Sequence, residues 1–246
     1  MRFRRTVVSF FGLTAMLVSA ELWLIGGLAA ERSRIVFSNL VFDNFEIYVM
    51  DADGGNRGNL SNHPVDEMDP DWSPDGTKIA FGSRQVREDI SNHSDIFVMK
   101  ADGTDRINLT RNSHAFNNDP SWSPDGNKIA YAAFSNVDRV GRGTTHIDIF
   151  VMNADGTQPR RLTEDAPLNI QPSWSSDGKK IAFSRAHEDD PIYCDIYTMN
   201  VDGTNLVNLT QTPLVGEWTP SWKPSPFSVS SRGKLSVVWG AVKQKR

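Results

Sequence analysis

Residues 119–131, Asp-Pro-Ser-Trp-Ser-Pro-Asp-Gly-Asn-Lys-Ile-Ala-Tyr, decide the fold because the chain repeats this stretch. Close copies occupy residues 69–81 and 171–183, and a shorter copy, Thr-Pro-Ser-Trp-Lys-Pro, occupies residues 219–224. The tryptophans of the four copies are roughly 50 residues apart. A repeat of about this length, built from short strands, is typical of a propeller blade or of another repeat array.

Three families of short apolar segments recur with the same period and predict the other strands of each unit. Segments of the form Lys-Ile-Ala-Phe put isoleucine and the aromatic residue on one face and a small residue on the other. Segments of the form Asp-Ile-Phe-Val-Met are apolar at nearly every position, so both faces need burial. Segments of the form Asn-Leu-Thr are brief and half polar, as suits an outer edge. Together with the strand around each tryptophan they predict an all-β propeller of four recognisable four-stranded blades, with strands A, B, C and D in chain order.

The connections between the predicted strands are of two kinds. The A–B turns (Ser-Pro-Asp-Gly, as at 73–76 and 123–126) and the C–D turns (Ala-Asp-Gly or Val-Asp-Gly) are short and suit tight hairpins. The B–C connections, over residues 84–94, 133–147 and 185–194, and the D–A connections vary in length and carry many charges. Successive connections of an up-and-down sheet emerge at opposite ends, so the tight turns form one face, the turn face, and the variable loops form the other, the loop face. Binding residues concentrate on loops carried by a rigid scaffold, and we therefore expect binding at the loop face.

Two sets of polar residues are predicted on the loop side of the propeller. One set heads the C strands, and the other precedes the proline of each A strand, near the central channel. Two interpretations stay open: these side chains accept hydrogen bonds from loop amides, or they form an acidic rim that receives a cationic or amide-rich partner. Trp218 breaks the period and is a candidate contact, whereas the periodic tryptophans suit the core. The candidate partner-binding residues are Asp69, Asp119, Gln171, Thr219, His63, His114, Trp218, Asp95, Asp148 and Asp195.

Composition and motifs argue against several classes of function. The formal net charge of −4 and the pI of about 5.7 are not those of a general nucleic-acid surface. The one cysteine, Cys194, allows no intramolecular disulfide, and the five histidines are not paired at metal-ligand spacing. No nucleophile elbow, zinc-protease or Walker motif is present, so we expect no enzyme, no metal and no cofactor. The alternative is a small propeller hydrolase or lactonase with a metal held in the channel by Asp and Asn.

The N-terminus has the pattern of an export signal. Three arginines, at positions 2, 4 and 5, precede apolar runs over residues 7–20 and 22–30. Residues 1–30 are therefore predicted to be a signal peptide, cleaved after Ala20 or, as we favour, after Ala30, or else a retained anchor that would be the only membrane attachment. We expect a periplasmic or secreted protein, with the propeller over residues 31–228 and an extra strand and basic tail over 229–246.

The repeat resembles that of the TolB-type propeller family. The family pattern Pro-x-Trp-Ser-Pro-Asp-Gly-x-Lys-Ile-Ala-Phe, followed by Ile-Tyr-Val-Met-Asn-Ala-Asp-Gly and then Leu-Thr, is matched across residues 34–224. The resemblance implies a β-propeller, usually of six blades, in the periplasm. It also implies a protein partner, such as the peptidoglycan-associated lipoprotein that TolB binds at the wide mouth of its propeller in the Tol–Pal envelope system. TolB also carries an α/β domain ahead of its propeller. We expect that this chain lacks it and that the chain is an exported, non-enzymatic binding scaffold.

The repeats begin at a B strand and end at an A strand around Trp222. We favour an arrangement in which this last strand completes the first blade and closes, or nearly closes, a ring of four blades. The alternative is an open arc, which would leave a sheet face exposed and would favour association of copies into a homo-oligomer.

Overall fold

In a computed structural model of the protein, the residues described are 33–87, 90–111, 116–135, 146–164, 168–188, 190, 193–212 and 215–222. The predicted signal peptide, the segment 229–246 and His114 lie outside these residues. The described residues form antiparallel sheets, which confirms the predicted fold class. The strands are β1 (Arg34–Val41), β2 (Asn44–Asp51), β3 (Gly58–Asn59), β4 (Glu67–Trp72), β5 (Lys78–Arg87), β6 (Ile90–Lys100), β7 (Ile107–Asn108), β8 (Asn117–Trp122), β9 (Lys128–Ser135), β10 (His146–Asn153), β11 (Arg160–Arg161), β12 (Asn169–Trp174), β13 (Lys180–Ala186), β14 (Cys194–Asn200) and β15 (Val207–Asn208).

The strands form four sheets in chain order, each a propeller blade. The first contains β1–β3, and the next three contain β4–β7, β8–β11 and β12–β15. Among the described residues the first sheet therefore has no A strand, as expected for a series that begins at a B strand. Within every sheet consecutive strands are antiparallel neighbours, so successive connections emerge at opposite ends. The turn face and the loop face are thus on opposite sides of the molecule.

The A strands lie closest to the propeller axis. β4 contacts β1, β2 and β8, and β8 contacts β12, all of which belong to neighbouring blades. The D strands β3, β7, β11 and β15 make strand-to-strand contacts only with their own C strands among the described residues. Sheets that converge at their A strands and diverge at their D strands are wedges around an axis, which is the geometry of a propeller.

The core lies between adjacent sheets. Ala80, on the small-residue side of its sheet, is fully buried and packs in one cluster with Trp122 and Tyr131 of the next blade. Ala130 packs in the same way with Trp174 of the blade after that. The small side chain lets the large one of the neighbouring sheet approach, as predicted. Trp122 and Trp174 are both buried, which confirms the packing role of these tryptophans.

The tight turns are held by their own side chains. In the turn after β8, Ser123 Oγ donates to Asp125 Oδ1 at 2.6 Å and accepts the N–H of Lys128 at 2.9 Å. Gly126 has φ of 71°, and its N–H donates to the carbonyl oxygen of Ser123 at 2.9 Å. The Ser-Pro-Asp-Gly sequence therefore makes a closed hairpin, in agreement with the prediction from its residues.

Two features differ from the prediction. The B–C connection of the second blade, expected as a variable loop over 84–94, is mostly strand, because β5 and β6 continue pairing as far as Arg87 and Ile90.

The four blades also do not close on themselves within the described residues. No strand of β1–β3 contacts a strand of β12–β15, and residues 215–222 lie beside the fourth blade without pairing with β1. Of the two arrangements, the described residues form the partial propeller.

Candidate functional site

The residue before the proline of each A strand has an unusual backbone. Asp69, Asp119, Gln171 and Thr219 all have positive φ, between 52° and 57°. In the three complete blades the A–B register shifts at this residue and the proline, which form a β-bulge. A bulge redirects a side chain out of the regular alternation of a strand. A left-handed conformation at four equivalent non-glycine positions indicates that tertiary contacts hold it.

Those contacts run from blade to blade and form what we call the pre-proline ladder, consisting of Ser38, Asp69, Asp119, Gln171 and Thr219. The N–H of Asp69 donates to Ser38 Oγ at 3.1 Å, and the carboxylate of Asp69 accepts the N–H of Asp119. Asp119 Oδ2 accepts the N–H of Gln171 at 3.1 Å, and Gln171 Oε1 accepts the N–H of Thr219 at 2.9 Å. Each side chain of the ladder before Thr219 thus accepts a hydrogen bond from a backbone N–H of the next blade along the channel wall.

The two acids of the ladder are close enough to share a proton. Burial, the neighbouring charge of Asp69 and a hydrogen bond between the carboxyl groups raise the pKa of Asp119 to about 7. Asp69 is more exposed, yet the surrounding protein desolvates its carboxyl group and raises its pKa as well. Two adjacent carboxylates resist being ionised together, so Asp119 is the member that holds the proton and donates it to Asp69.

A third acid at the same junction was not among the predicted site residues. Asp71 Oδ2 accepts the N–H of Trp122 at 2.7 Å, and desolvation by burial raises the pKa of Asp71 to about 6. The corresponding positions in the other A strands are serines, at 121, 173 and 221. This departure from the repeat was a signal in the sequence, because an acid replaces a small neutral residue at only one of four equivalent places.

The acids that head the C strands are buried and bonded to the scaffold. Asp95 accepts hydrogen bonds from Asn108 Nδ2 at 2.7 Å and Thr110 Oγ1 at 3.1 Å. Asp148 lies 2.8 Å from Arg161 Nη2 and is fully buried. These carboxylates tie each C strand to its D strand and to the connection that follows.

Asp195 and Glu46 continue this pattern in the outer blades. Burial opposes ionisation of Asp195, but hydrogen bonds from Asn208 Nδ2 at 2.6 Å and the N–H of Thr212 at 3.1 Å lower its pKa overall. Likewise Glu46 accepts Ser61 Oγ at 2.7 Å and the N–H of His63 at 3.0 Å, and its pKa is lowered in spite of desolvation. These contacts are those of the first interpretation, in which the acids satisfy loop amides.

The described histidines and Trp218 are not brought together into one cluster. His93 is buried within β6, with Nε2 3.7 Å from Asp95 Oδ2, and His146 begins β10, half-buried. Nε2 of His187 lies 3.2 Å from an oxygen of Asp195. Trp218 is 43 % exposed beside Thr219, so it lies on the surface next to the end of the ladder.

Among the described residues, no group of three or more histidine, cysteine, aspartate or glutamate side chains is arranged to hold a metal ion. The part of the chain that the structure describes contains no helix long and apolar enough to cross a membrane.

Comparison with known proteins places this geometry in a family. Residues 27–132 and 86–229 match the family described as TolB beta propeller domain. A TolB homolog from Chlorobium luteolum is 33 % identical over 169 residues, which are 67 % of this chain and 35 % of that protein. The Tol-Pal system protein TolB of Desulfosudis oleivorans is 32 % identical over 100 residues, 39 % of this chain and 21 % of that protein. The chain thus spans about a third or less of the length of these relatives.

Solved structures agree at the level of the fold. A protein described as TolB from Agrobacterium tumefaciens superposes with a TM-score of 0.57 at 25 % identity, over 71 % of this chain and 60 % of that one. TolB from Acinetobacter baumannii superposes with a TM-score of 0.59 at 21 % identity, over 81 % of this chain and 47 % of that one. Both similarities cover most of the blades described above.

Proposed function

Because the chain belongs to the TolB β-propeller family, we propose that it is an exported, non-enzymatic scaffold that binds a protein partner of the cell envelope. The partner approaches the loop face and reaches the channel wall lined by the pre-proline ladder. A peptidoglycan-associated lipoprotein is the first candidate partner, since relatives of this chain are described as Tol-Pal system proteins.

The observation that carries the proposal is the acidic junction between the second and third blades. Asp69, Asp71 and Asp119 are concentrated there, and Asp69 is exposed on the channel wall. An acidic wall attracts cationic groups and offers acceptors to amide groups, so it selects a partner with lysine, arginine or backbone N–H groups at its tip. The exposed indole of Trp218, beside Thr219 at the other end of the ladder, adds a separate aromatic contact of the type that anchors protein interfaces.

The other candidate residues have supporting roles in this proposal. The buried C-strand acids Asp95, Asp148 and Asp195 hold the connections of the loop face in place. They therefore support the surface on which the partner docks without contacting the partner. Gln171 and Thr219 continue the ladder with uncharged groups. The partner's charged tip is therefore expected to lie over the second and third blades.

Binding of a purified peptidoglycan-associated lipoprotein, measured by calorimetry or surface plasmon resonance, tests the proposal. Asp69→Lys is expected to weaken binding by about tenfold or more, as reversal of a contacting charge commonly does. Asp102→Lys makes the same charge change at an exposed position of the turn face and is expected to leave binding unchanged. Circular dichroism of both variants verifies the fold. Equal affinities for the two variants would contradict the loop-face site.

The export and the non-enzymatic character are tested separately. Cell fractionation is expected to recover the mature protein outside the cytoplasm, with an N-terminus at residue 21 or 31 by sequencing of the intact chain. The hydrolase or lactonase alternative requires a channel metal. Elemental analysis that found stoichiometric calcium or zinc in the purified protein would favour that alternative.

A further inference from the structure

One packing contact between a glycine and a leucine recurs between the blades of the described arc. One end of the arc presents only the glycine of this contact, and the other end presents only the leucine. Inside the arc, the glycine of each C–D turn packs on the leucine that follows the preceding D strand. A Cβ at this glycine would lie 2.6 to 2.9 Å from the leucine carbonyl oxygen, so no side chain fits. The pairs are Gly103 on Leu60, Gly156 on Leu109 and Gly203 on Leu162.

At the ends of the arc both halves are without a partner among the described residues. Gly54 is the corresponding glycine of the first blade, and no described atom lies within 4 Å of its Cβ position. Leu209 is the corresponding leucine of the fourth blade and is 56 % exposed, whereas Leu109 and Leu162 are half-buried against their neighbours.

A missing strand and a surplus strand accompany these ends. In the complete blades strand A pairs with strand B, as in the second blade, where Trp72 faces Ile79. The first sheet has no such partner for β1 among the described residues. Residues 217–222, Glu-Trp-Thr-Pro-Ser-Trp, correspond to β4 in sequence. They pair with no strand among the described residues and lie beside the fourth blade in the place of a further A strand, and we call them the surplus strand. Trp222 Nε1 donates to the carbonyl oxygen of Ser173 at 3.1 Å, as Trp174 Nε1 does to that of Ser121 at 3.1 Å.

An ion pair in the second blade indicates which residue an A strand needs in order to complete the first blade. Arg106 lies over the rings of Phe81 and Phe97, 5.1 and 4.4 Å from their centroids, and pairs with the buried Glu67 of strand A. It also donates to Ser83 Oγ at 2.7 Å. The strand B and strand C aromatics thus hold the guanidinium, and strand A supplies its carboxylate.

The first blade repeats the arginine half of this pair without the carboxylate. Arg57 lies 5.2 Å from the ring centroids of both Phe37 and Tyr48, and its Nη2 donates to Asn39 Oδ1 at 2.7 Å. These residues correspond to Arg106, Phe81, Phe97 and Ser83. The place of Glu67 is left for an A strand that β1 does not have among the described residues.

A glutamate at the position of Glu67 recurs only in the surplus strand. The third and fourth blades have neither member of the pair: Pro159 and Leu206 stand at the arginine position, and Asn117 and Asn169 stand at the glutamate position. Glu217 is at that position in the surplus strand, and its Oε2 is buried with no hydrogen-bond partner among the described residues. Glu67 Oε2 is likewise without a hydrogen-bond partner, but Glu67 Oε1 pairs with Arg106, whereas Glu217 has no ion pair among the described residues. A half-buried carboxylate is costly without a cation, so a cation is expected to meet Glu217.

We propose that strand 217–222 of one copy of the chain completes the β1–β3 sheet of a second copy. Glu217 pairs with Arg57 across the interface, and Leu209 packs on Gly54. The occupant is a second copy because the two ends of one described chain do not touch and the surplus strand is held on its own fourth blade. Two copies joined at both ends form a closed ring of eight sheets, at the upper limit of the common range of four to eight blades.

Cysteine trapping between separate chains tests this arrangement. Val36 and Ser221 correspond to Ala80 and Asp71, which face each other in the A–B register of the second blade. Oxidation of a mixture of the Val36→Cys chain and the Ser221→Cys chain is expected to give a covalent dimer, with buried Cys194 replaced by alanine in both. A mixture in which Leu206→Cys, at an exposed position off the strand, takes the place of Ser221→Cys is the control and is expected to give no covalent dimer in denaturing gels.

Two outcomes of cysteine trapping would overturn the proposal. The Val36→Cys/Ser221→Cys double variant could instead form its disulfide within one chain, at monomer mass. That outcome would mean that the ring closes in a single copy. Absence of a disulfide in both experiments, together with a monomer mass by light scattering at high concentration, would mean that the ends do not meet.

Charge exchange tests the pair itself. Glu217→Arg and Arg57→Glu are each expected to weaken dimerisation by about tenfold or more in sedimentation equilibrium, and the double variant is expected to recover most of the loss. Asp102→Arg, on an exposed turn, is the control for a change of net charge. Circular dichroism verifies the fold of each variant. A double variant no better than the single ones would overturn the pairing of Glu217 with Arg57.

Discussion

Oδ2 of Asp119 accepts a hydrogen bond from the backbone N–H of Gln171, 52 residues later in the chain, at 3.1 Å. The bond joins strand A of the third blade to strand A of the fourth. The same carboxyl group faces Asp69 of the second blade, so one side chain connects three blades. The protonation state of this carboxyl group is therefore coupled to the stability of the propeller.

Stability is expected to depend on pH through Asp119. Its pKa in the folded protein is raised to about 7, against about 3.9 for an aspartate in an unfolded chain. Between about pH 4 and pH 7 the folded protein holds a proton that the unfolded chain releases, so the free energy of unfolding falls as the pH rises through this interval. Urea unfolding at a series of pH values measures the slope.

Asp119→Asn mimics the protonated acid and removes the contribution of Asp119 to this slope, so a shallower slope from Asp71, whose pKa is raised to about 6 by burial, remains. The variant is expected to equal the parent near pH 4 and to exceed its unfolding free energy at pH 8 by about 1–2 kcal/mol, since solvent screening reduces the value of about 1.4 kcal/mol per pKa unit. Asp125→Asn is the control, because desolvation of Asp125 is outweighed by hydrogen bonds from Ser123 and Asn127 that lower its pKa, so its contribution to stability is lost as the pH falls. Identical slopes in the parent and in Asp119→Asn would refute the shared proton.

Two glycines with the same backbone separate the inter-blade contact from backbone strain. Gly156 and Gly54 have φ of 84° and 85°, but only Gly156 packs on a neighbouring blade, through Leu109. Both alanine variants carry the cost of a left-handed alanine, about 1 kcal/mol. We expect Gly156→Ala to be less stable than Gly54→Ala by about 2 kcal/mol or more, because its Cβ would overlap the Leu109 carbonyl. Thermal unfolding at concentrations that keep the chain monomeric measures the difference, and equal losses would contradict the contact.

The hydroxyl groups that bridge the C and D strands are expected to be important for stability. Thr110 Oγ1 accepts the N–H of Ile96 at 3.0 Å and donates to Asp95 at 3.1 Å, all of them buried. Thr110→Val keeps the shape of the side chain and leaves two buried polar groups without this partner, which costs about 1–3 kcal/mol. Thr104→Val, in an exposed turn, is the comparison and is expected to change stability by about 0.5 kcal/mol or less. Denaturant unfolding that ranked the two variants in the opposite order would refute the bridge.

The ion pair of the second blade is expected to show strong coupling. Arg106→Leu leaves the fully buried Glu67 without its cation, and loss of one partner of a buried pair costs about 3–5 kcal/mol. Adding Glu67→Asn reproduces the Asn169 and Leu206 combination of the fourth blade and is expected to recover most of the loss. A double-mutant cycle from urea unfolding gives the coupling energy. Additive effects of the two substitutions would show that they do not act as a pair.

Much of the architecture was predictable because its causes are local. Ser123, Asp125 and Gly126 form a hairpin from their own hydrogen bonds and conformational freedom, and the sequence shows that turn in every complete repeat. The small residue at position 80 likewise predicted a close sheet-to-sheet approach. The repeat of B, C and D strands predicted four blades and their two faces. The long pairing of β5 with β6 was missed, because the charged segment between them has no periodic apolar pattern.

The sequence predicted that the pre-proline residues lie near the channel, but not their contacts, and their role in binding a partner stays a prediction. The pre-proline residues were placed near the channel, yet their left-handed backbone and their bonds to the next blade had no signal in the sequence. Asp71 was overlooked, although it alone replaces a serine of the repeat. The C-strand acids were left between two interpretations, and burial with Asn108, Thr110 and Arg161 around them favours the loop-supporting one.

The sequence by itself determined the unit of this protein, a wedge-shaped sheet with a turn face and a loop face, because strand period, turn residues and burial pattern act over a few residues. Only the tertiary structure decided what happens between units. The proton held at Asp119 depends on desolvation and on a charge that belongs to a residue 50 positions away, at Asp69. Arg57 and Glu217 have no ion-pair partner among the described residues. Their complementarity becomes apparent only when the sheets are compared in space, since electrostatic energy depends on distance in space and not along the chain.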